Sequence, residues 1–145
     1  MPSGAEVAEL LGIEARTRGP MSLLGLIAEV ERGLPLSALD RLARCVAPDD
    51  NGFVFRLVPK ATLARRRGAP AARLSSEEGA KVARLADVWA FACEVWGDEE
   101  AARGFLFRPH PMLEGQRPVD VVLASEFGRP LVEGILGRLK YGSAA

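Results

Sequence analysis

The chain is 145 residues long, enough for one domain or two small ones sharing a core. Hydrophobic residues make up 48% of it, which excludes a disordered chain. Its 19 basic and 19 acidic residues cancel, so net charge points to no partner and any electrostatic signal lies in how the charges are distributed.

Residues 1–20 carry Val7, Leu10 and Leu11, then Gly, Arg and Pro. That pattern fits either a helical turn or two with a loose linker, or a partly disordered arm. Met21 to Glu31 reads as a helix, with Leu23, Leu24, Ile27 and Val30 on one face and Gly33 as its stop. Pro35 and Ser37 restart the chain into about two helical turns, with Leu36, Leu39, Leu42 and Cys45 or Val46 inward. Pro48-Asp49-Asp50-Asn51-Gly52 is a turn signal. Phe53 to Leu57 is β-like in composition, but it is short and lies between helical patterns, so it is read as helical or irregular. Pro59 to Arg67 reads as a short helix with proline in its first turn.

The longest periodic stretch follows, Ser75 to Trp96. Ser75 and Glu78 form a capping box at its start. Val82, Leu85, Ala86, Trp89, Cys93 and Trp96 recur at three- and four-residue steps, and Val88, Ala92 and Val95 widen that face. Glu77, Lys81, Arg84, Asp87 and Glu94 leave only a narrow polar stripe. A helix so apolar around its circumference is buried by several neighbours at once, which makes it the central post. Asp98 then caps a short helix ending at Phe105 to Phe107. Arg108-Pro109-His110-Pro111 must be extended, and Gly115 turns the chain. Arg117-Pro118 opens a helix with Val119, Val122 and Leu123 inward, Gly128-Arg129-Pro130 breaks it, and Leu131 to Tyr141 is the last helix. Leu131, Val132, Ile135, Leu136 and Leu139 are its apolar residues. The expectation is an all-α chain of roughly six to eight short helices.

Charge is concentrated in one place. Between Phe55 and Leu74 there are six basic residues, Arg56, Lys60, Arg65, Arg66, Arg67 and Arg73, and no acidic one. A turn followed by a short basic helix is the pattern of a helix-turn-helix. Lys60 and Thr62 at its start are placed to reach base edges, and Arg65, Arg66 and Arg67 to clamp phosphates. The plain alternative is a solvated basic face without a partner.

Catalytic and metal chemistry have little to stand on. His110 is the only histidine and prolines pin it on both sides, which favours a structural or capping role. No GxGxxG, P-loop, HExxH, GxSxG or CxxC occurs. Glu77-Glu78 and Asp98-Glu99-Glu100 sit at helix starts, where carboxylates favour the macrodipole. Asp49-Asp50-Asn51-Gly52 lacks the glutamate that closes a calcium loop. Cys45 and Cys93 lie in apolar patterns with no Cys/His pair beside them, which argues against a disulfide framework or zinc site and for a reducing cytoplasm. No apolar run approaches the roughly 18 residues needed to span a bilayer, and no signal-peptide pattern opens the chain. A binding module that uses no cofactor, rather than an enzyme, is expected.

Residues 98–142 contain Ala101-Ala102, Leu106-Phe107, His110-Pro111, Leu113-Glu114-Gly115-Gln116-Arg117-Pro118, Gly128 and a closing Leu139-Lys140-Tyr141-Gly142. This succession resembles the toxin-binding domain of Xre/MbcA/ParS-type antitoxins from bacterial type II toxin–antitoxin systems. Upstream, Thr62-Leu63-Ala64-Arg65-Arg66-Arg67, Leu74-Ser75 and Arg84-Leu85-Ala86 are similar to that family's Xre-type helix-turn-helix and connecting helix. Two features depart from the pattern: Phe105 stands where many members carry Trp, and Gly52–Val58 is more apolar than a typical positioning helix.

The resemblance covers about residues 34–142 and implies an Xre-like helix-turn-helix region with the central helix (34–97) and a toxin-binding domain (98–145); residues 1–33, read as an N-terminal arm or helix, lie outside it. It implies a RES-domain toxin encoded nearby, acting on NAD by degrading it or by ADP-ribosylating a target, whose active site the antitoxin blocks. Arg129, Arg138, Leu139, Lys140, Tyr141 and Gly142 are the toxin-binding residues it implies. Arg138 would serve as a bidentate donor and Tyr141 as an aromatic anchor. Operator DNA, bound in autoregulation of the operon, and a homodimer within a toxin–antitoxin hetero-oligomer complete the expected partners, with no membrane. The alternative is a stand-alone helix-turn-helix regulator that dimerises through its C-terminal module.

Overall fold

A computed structural model describes residues 2–14 and 19–142. Among them the regular structure is helical: α1 (Gly4–Leu11), α2 (Leu23–Arg32), α3 (Leu36–Val46), α4 (Val54–Leu57), α5 (Lys60–Arg67), α6 (Ser76–Trp96), α7 (Glu99–Phe107), a 3₁₀ turn (Pro111–Leu113), α8 (Pro118–Ala124) and α9 (Gly128–Tyr141). The extended exception is an isolated antiparallel bridge between Pro35 and Arg73. The chain divides into two compact units, Pro2–Ala86 and the chain from Asp87 on, and α6 runs through the boundary.

In the first unit α1 is a packed helix rather than an arm. Ser3 Oγ accepts from the Glu6 N–H at 3.1 Å and the Glu6 carboxylate accepts from the Ser3 N–H at 3.2 Å, closing a capping box. Val7, Ala8, Leu11 and Ile13 are buried, and α1 packs on α2 and α3. Gly4 permits the approach to α2: a Cβ there would lie 2.6 Å from the Ser22 carbonyl carbon. The linker expected near residues 12–20 falls partly outside the described residues.

α2 forms where its periodicity places it, but its inward face is another one. Leu26 and Glu29 are buried, whereas Leu23, Leu24 and Ile27 are 60%, 79% and 52% exposed. Periodicity says which residues share a face; which face is covered is set by packing, and α2 packs on α1. In α3, Leu36, Leu39, Leu42 and Val46 are buried, while Cys45 is only half-buried. The β-like stretch is a single helical turn, α4. Its apolar character is accounted for by burial of Phe53, Leu57 and Val58. After α5, whose Leu63 is buried, the chain is tied back to the start of α3. The Leu74 N–H donates to the Leu34 carbonyl at 2.8 Å, and the Arg73 guanidinium donates to the Gly33 carbonyl at 2.8 Å.

The capping box of α6 is present. Ser75 Oγ accepts from the Glu78 N–H at 3.2 Å, and Glu78 accepts from the Ser75 N–H at 2.8 Å. Val82, Leu85 and Ala86 are buried in the first unit; Val88, Trp89, Phe91 and Ala92 are buried in the second. Trp96, expected on the buried face, is 42% exposed and leans on Phe105 with ring centroids 6.1 Å apart.

In the second unit Asp98 caps α7, accepting from the Glu100 N–H at 3.0 Å, and Ala102, Phe105 and Leu106 face inward. His110 is a cap: Nδ1 accepts from the Met112 N–H at 3.1 Å to start the 3₁₀ turn, and its ring meets Phe105 edge-on. Arg117 forms a bidentate pair with Asp120 at 2.7 and 2.9 Å in the first turn of α8. The expected break at Gly128-Arg129-Pro130 is instead the first turn of α9. Proline is tolerated there because first-turn N–H groups have no helical acceptor. Val119, Val122 and Leu123 of α8 are buried in this unit together with Val132, Ile135 and Leu136 of α9.

Candidate functional site

Two surfaces carry the residues singled out by sequence. The first is α5. Pro59 is its N-cap residue, still in extended backbone (φ −55°, ψ 145°), and Leu63 anchors its inner side. Lys60 and Arg65 are exposed and Thr62 is half-buried. The Lys60 ammonium lies 5.7 Å from the centroid of the Phe55 ring, which is itself partly exposed. Arg66 and Arg67 are occupied within the protein. Arg67 grips Asp40 with both terminal nitrogens, at 3.0 and 2.8 Å, and that hydrogen bonding raises its pKa further. Arg66 pairs with Glu78 and donates to the Arg73 carbonyl at 3.3 Å. Burial alone would push the Glu78 carboxyl up, but the Ser75 N–H and the Arg66 guanidinium outweigh it and hold the pKa low. The structure thus brings the five candidates onto one helix and turns two of them toward carboxylates. Phe55, which sequence reasoning missed, joins the exposed set through its contact with Lys60.

The second surface is α9. Arg129 forms ion pairs with Asp87, at 3.6 Å, and with Glu126, so it is engaged inside its own unit. Lys140 reaches Glu94 at 3.0 Å and lies over the rings of Phe91 and Tyr141 at 6.0 and 5.4 Å. The hydrogen bond to Glu94 raises its pKa. Leu139 and Tyr141 are exposed, and Arg138 is exposed with one nitrogen 3.7 Å from Met112 Sδ. Gly142 ends the helix with φ 86°, a conformation that favours glycine. Phe127, the N-cap residue of this helix, and Leu131 within it are exposed and were not anticipated; their four-residue spacing from one another was the available signal.

The same helix carries an acid with a strongly raised pKa. Glu133 has a carboxyl oxygen sealed from solvent with no hydrogen-bond partner among the described residues. Burial, followed by the neighbouring Asp87 carboxyl, pushes its pKa up to about 8; Arg129 pulls the other way and Glu126 adds to the rise. Among the described residues no cluster of three His, Cys, Asp or Glu is placed to hold a metal ion, and no helix is long and apolar enough to cross a membrane.

The first unit holds a short helical turn, a connection through Val58 and Pro59 and a basic helix; a compact helical module makes up the second. Comparison with protein families matches residues 25–87 to the antitoxin Xre-like helix-turn-helix domain. Residues 92–142 match the antitoxin Xre/MbcA/ParS C-terminal toxin-binding domain. No curated protein matches the chain. The protein is an antitoxin that joins a helix-turn-helix domain to a toxin-binding domain. It belongs to the Xre/MbcA/ParS antitoxin family.

Proposed function

We propose that this antitoxin neutralises a RES-domain toxin encoded beside it, one that degrades NAD or uses it to ADP-ribosylate a target. In this reading the last turn of α9 enters the toxin's active site and blocks it. The observation that carries it is the presentation of Arg138, Leu139 and Tyr141, all exposed, at the end of a helix inside the toxin-binding match. Arg138 supplies a guanidinium for anionic groups and Tyr141 an aromatic anchor. Lys140 and Arg129, held by Glu94 and by Asp87 and Glu126, serve to fix the helix that presents them.

The reading extends to DNA. The antitoxin, as a homodimer within the toxin complex, represses its own operon through α5, with Lys60, Thr62 and Arg65 as the contacts and Arg66 and Arg67 as the residues that orient the helix. Basic side chains near the start of a recognition helix reach base edges and phosphates.

The test is co-expression. A chain truncated after Gly137 is expected to fold but to leave cells unprotected from the neighbour-encoded RES protein and NAD unprotected from consumption. Protection by that truncation would remove the active-site block from the proposal. Loss of a gel-shift with the promoter region in the full complex would remove autorepression.

A further inference from the structure

We infer that the outer flank of α9, formed by Phe127, Leu131, Gly134, Arg138 and Tyr141, is the surface on which the toxin docks. The flank supplies affinity and the last helical turn supplies the block. This rests on the toxin-neutralising reading above and assigns to it a contact surface that the block alone does not require.

The residues alternate at steps of four and three, which puts them on one face of the helix. Phe127 is 87% exposed, Leu131 58% and Tyr141 69%, and Met112, also exposed, extends the patch beside Arg138. Val132, Ile135 and Leu136 on the other side are buried. An ordinary surface helix has a polar outer face; this one is apolar on both sides and has a partner in its own unit on only one.

Two glycines point the same way. Gly134 and Gly137 lie in the helix interior, and a Cβ added at either would meet nothing within 4 Å. Neither has a positive φ. The protein's own fold therefore gives no reason for glycine, which weakens a helix interior. Close approach of another backbone does give one, and Gly134 lies in the middle of the stripe.

The toxin is the occupant because the stripe runs without interruption into the turn proposed to block its active site, and all of it lies within residues 92–142, the toxin-binding match. Spacing of this kind is how an amphipathic helix lies in an apolar groove. The stripe's only formal charge is Arg138, with no carboxylate, so the groove is expected to be apolar with an acidic group facing Arg138. Two copies packed in parallel through it would oppose two arginines.

Purified full-length antitoxin is titrated onto the neighbour-encoded RES protein, with NAD consumption as a second readout. The double variant Phe127→Ala with Leu131→Ala changes only exposed side chains. It is expected to bind roughly 100-fold more weakly, as loss of two anchors would produce, while still inhibiting fully at saturation. Gly134→Leu, which adds bulk where the free chain has open space, is expected to weaken binding likewise with the melting temperature kept or raised. Wild-type affinity in both variants overturns the docking surface and leaves the toxin reading intact. Unchanged toxin affinity with altered self-association in sedimentation makes a second copy the occupant, and also overturns it. Wild-type protein that fails to bind the RES protein overturns the toxin reading and the docking surface together.

Discussion

Arg65 and Arg67 stand two positions apart on α5, which turns them about 200° from one another around the helix. Asp40 holds Arg67 in a bidentate pair while Arg65 points to solvent. The expected consequence is a division of labour measurable in two assays. Arg65→Ala should lower operator affinity and reduce the salt dependence of binding by about one phosphate contact. Arg67→Ala should cost about 0.5 kcal/mol of stability, since exposed ion pairs contribute about 0–1 kcal/mol, with a smaller effect on the salt slope. Gel-shift titrations across a salt series, paired with thermal melts, check both. A steeper loss of salt slope for Arg67→Ala would reverse the assignment.

Glu133 is the other residue with a distinct expectation. Its folded pKa of about 8 lies above the ordinary 4.5, so the folded state holds a proton there that the unfolded chain releases. The stability contributed by the neutral acid is complete below pH 4.5, falls as pH rises from there, and is gone above about 8. Asp87 and Glu126 oppose ionisation and Arg129 offsets part of that opposition. Glu133→Gln, which is neutral at every pH, should flatten this stretch of the stability profile and raise the melting temperature at pH 8 relative to the parent. Parallel profiles for the two proteins would show that Glu133 ionises normally.

At the scale of elements, close backbone contact decides what is tolerated. A Cβ at Gly128 would lie 2.0 Å from the Val121 carbonyl oxygen, so α8 and α9 meet there with no room for a side chain. Gly128→Ala should destabilise the second unit by about 1–3 kcal/mol, the range for overpacking, and more if α9 cannot shift. Gly134→Ala should do the opposite, stabilising the free chain by about 0.5–1 kcal/mol through helix propensity alone. Chemical denaturation of the two variants separates a glycine required by the fold from one that is not. The helices themselves were largely legible. The capping box at Ser75–Glu78 was read from local chemistry and the 21-residue α6 from periodicity, whereas the equally local box at Ser3–Glu6 went unread. The start of α9 was misread because proline in a first turn and proline as a breaker look alike without knowing where the helix begins.

At the scale of the whole molecule, the proposed reading gives each of the two units its own activity. They should be separable. Arg65→Ala should leave toxin neutralisation intact, and truncation after Gly137 should leave operator binding by the antitoxin intact. Growth protection and promoter-reporter assays on the same pair of variants read this directly; a variant that loses both would show that the activities depend on each other.

The sequence by itself determined the helical class, the caps, the basic composition of α5 and the succession of motifs from Ala101 to Gly142 that carries the family. These are properties of neighbours in the chain, where spacing alone dictates the chemistry. Only the tertiary structure decided which helix face is covered and which charges are spent. Leu24 and Leu26 differ little in sequence, yet one is exposed and the other buried, because neighbouring helices cover only one side of α2. Arg67 and Arg129 read as surface ligands until Asp40, 27 positions away, and Asp87, 42 positions away, arrive beside them. Burial and ion pairing are set by residues distant along the chain, and no local pattern records who those residues are.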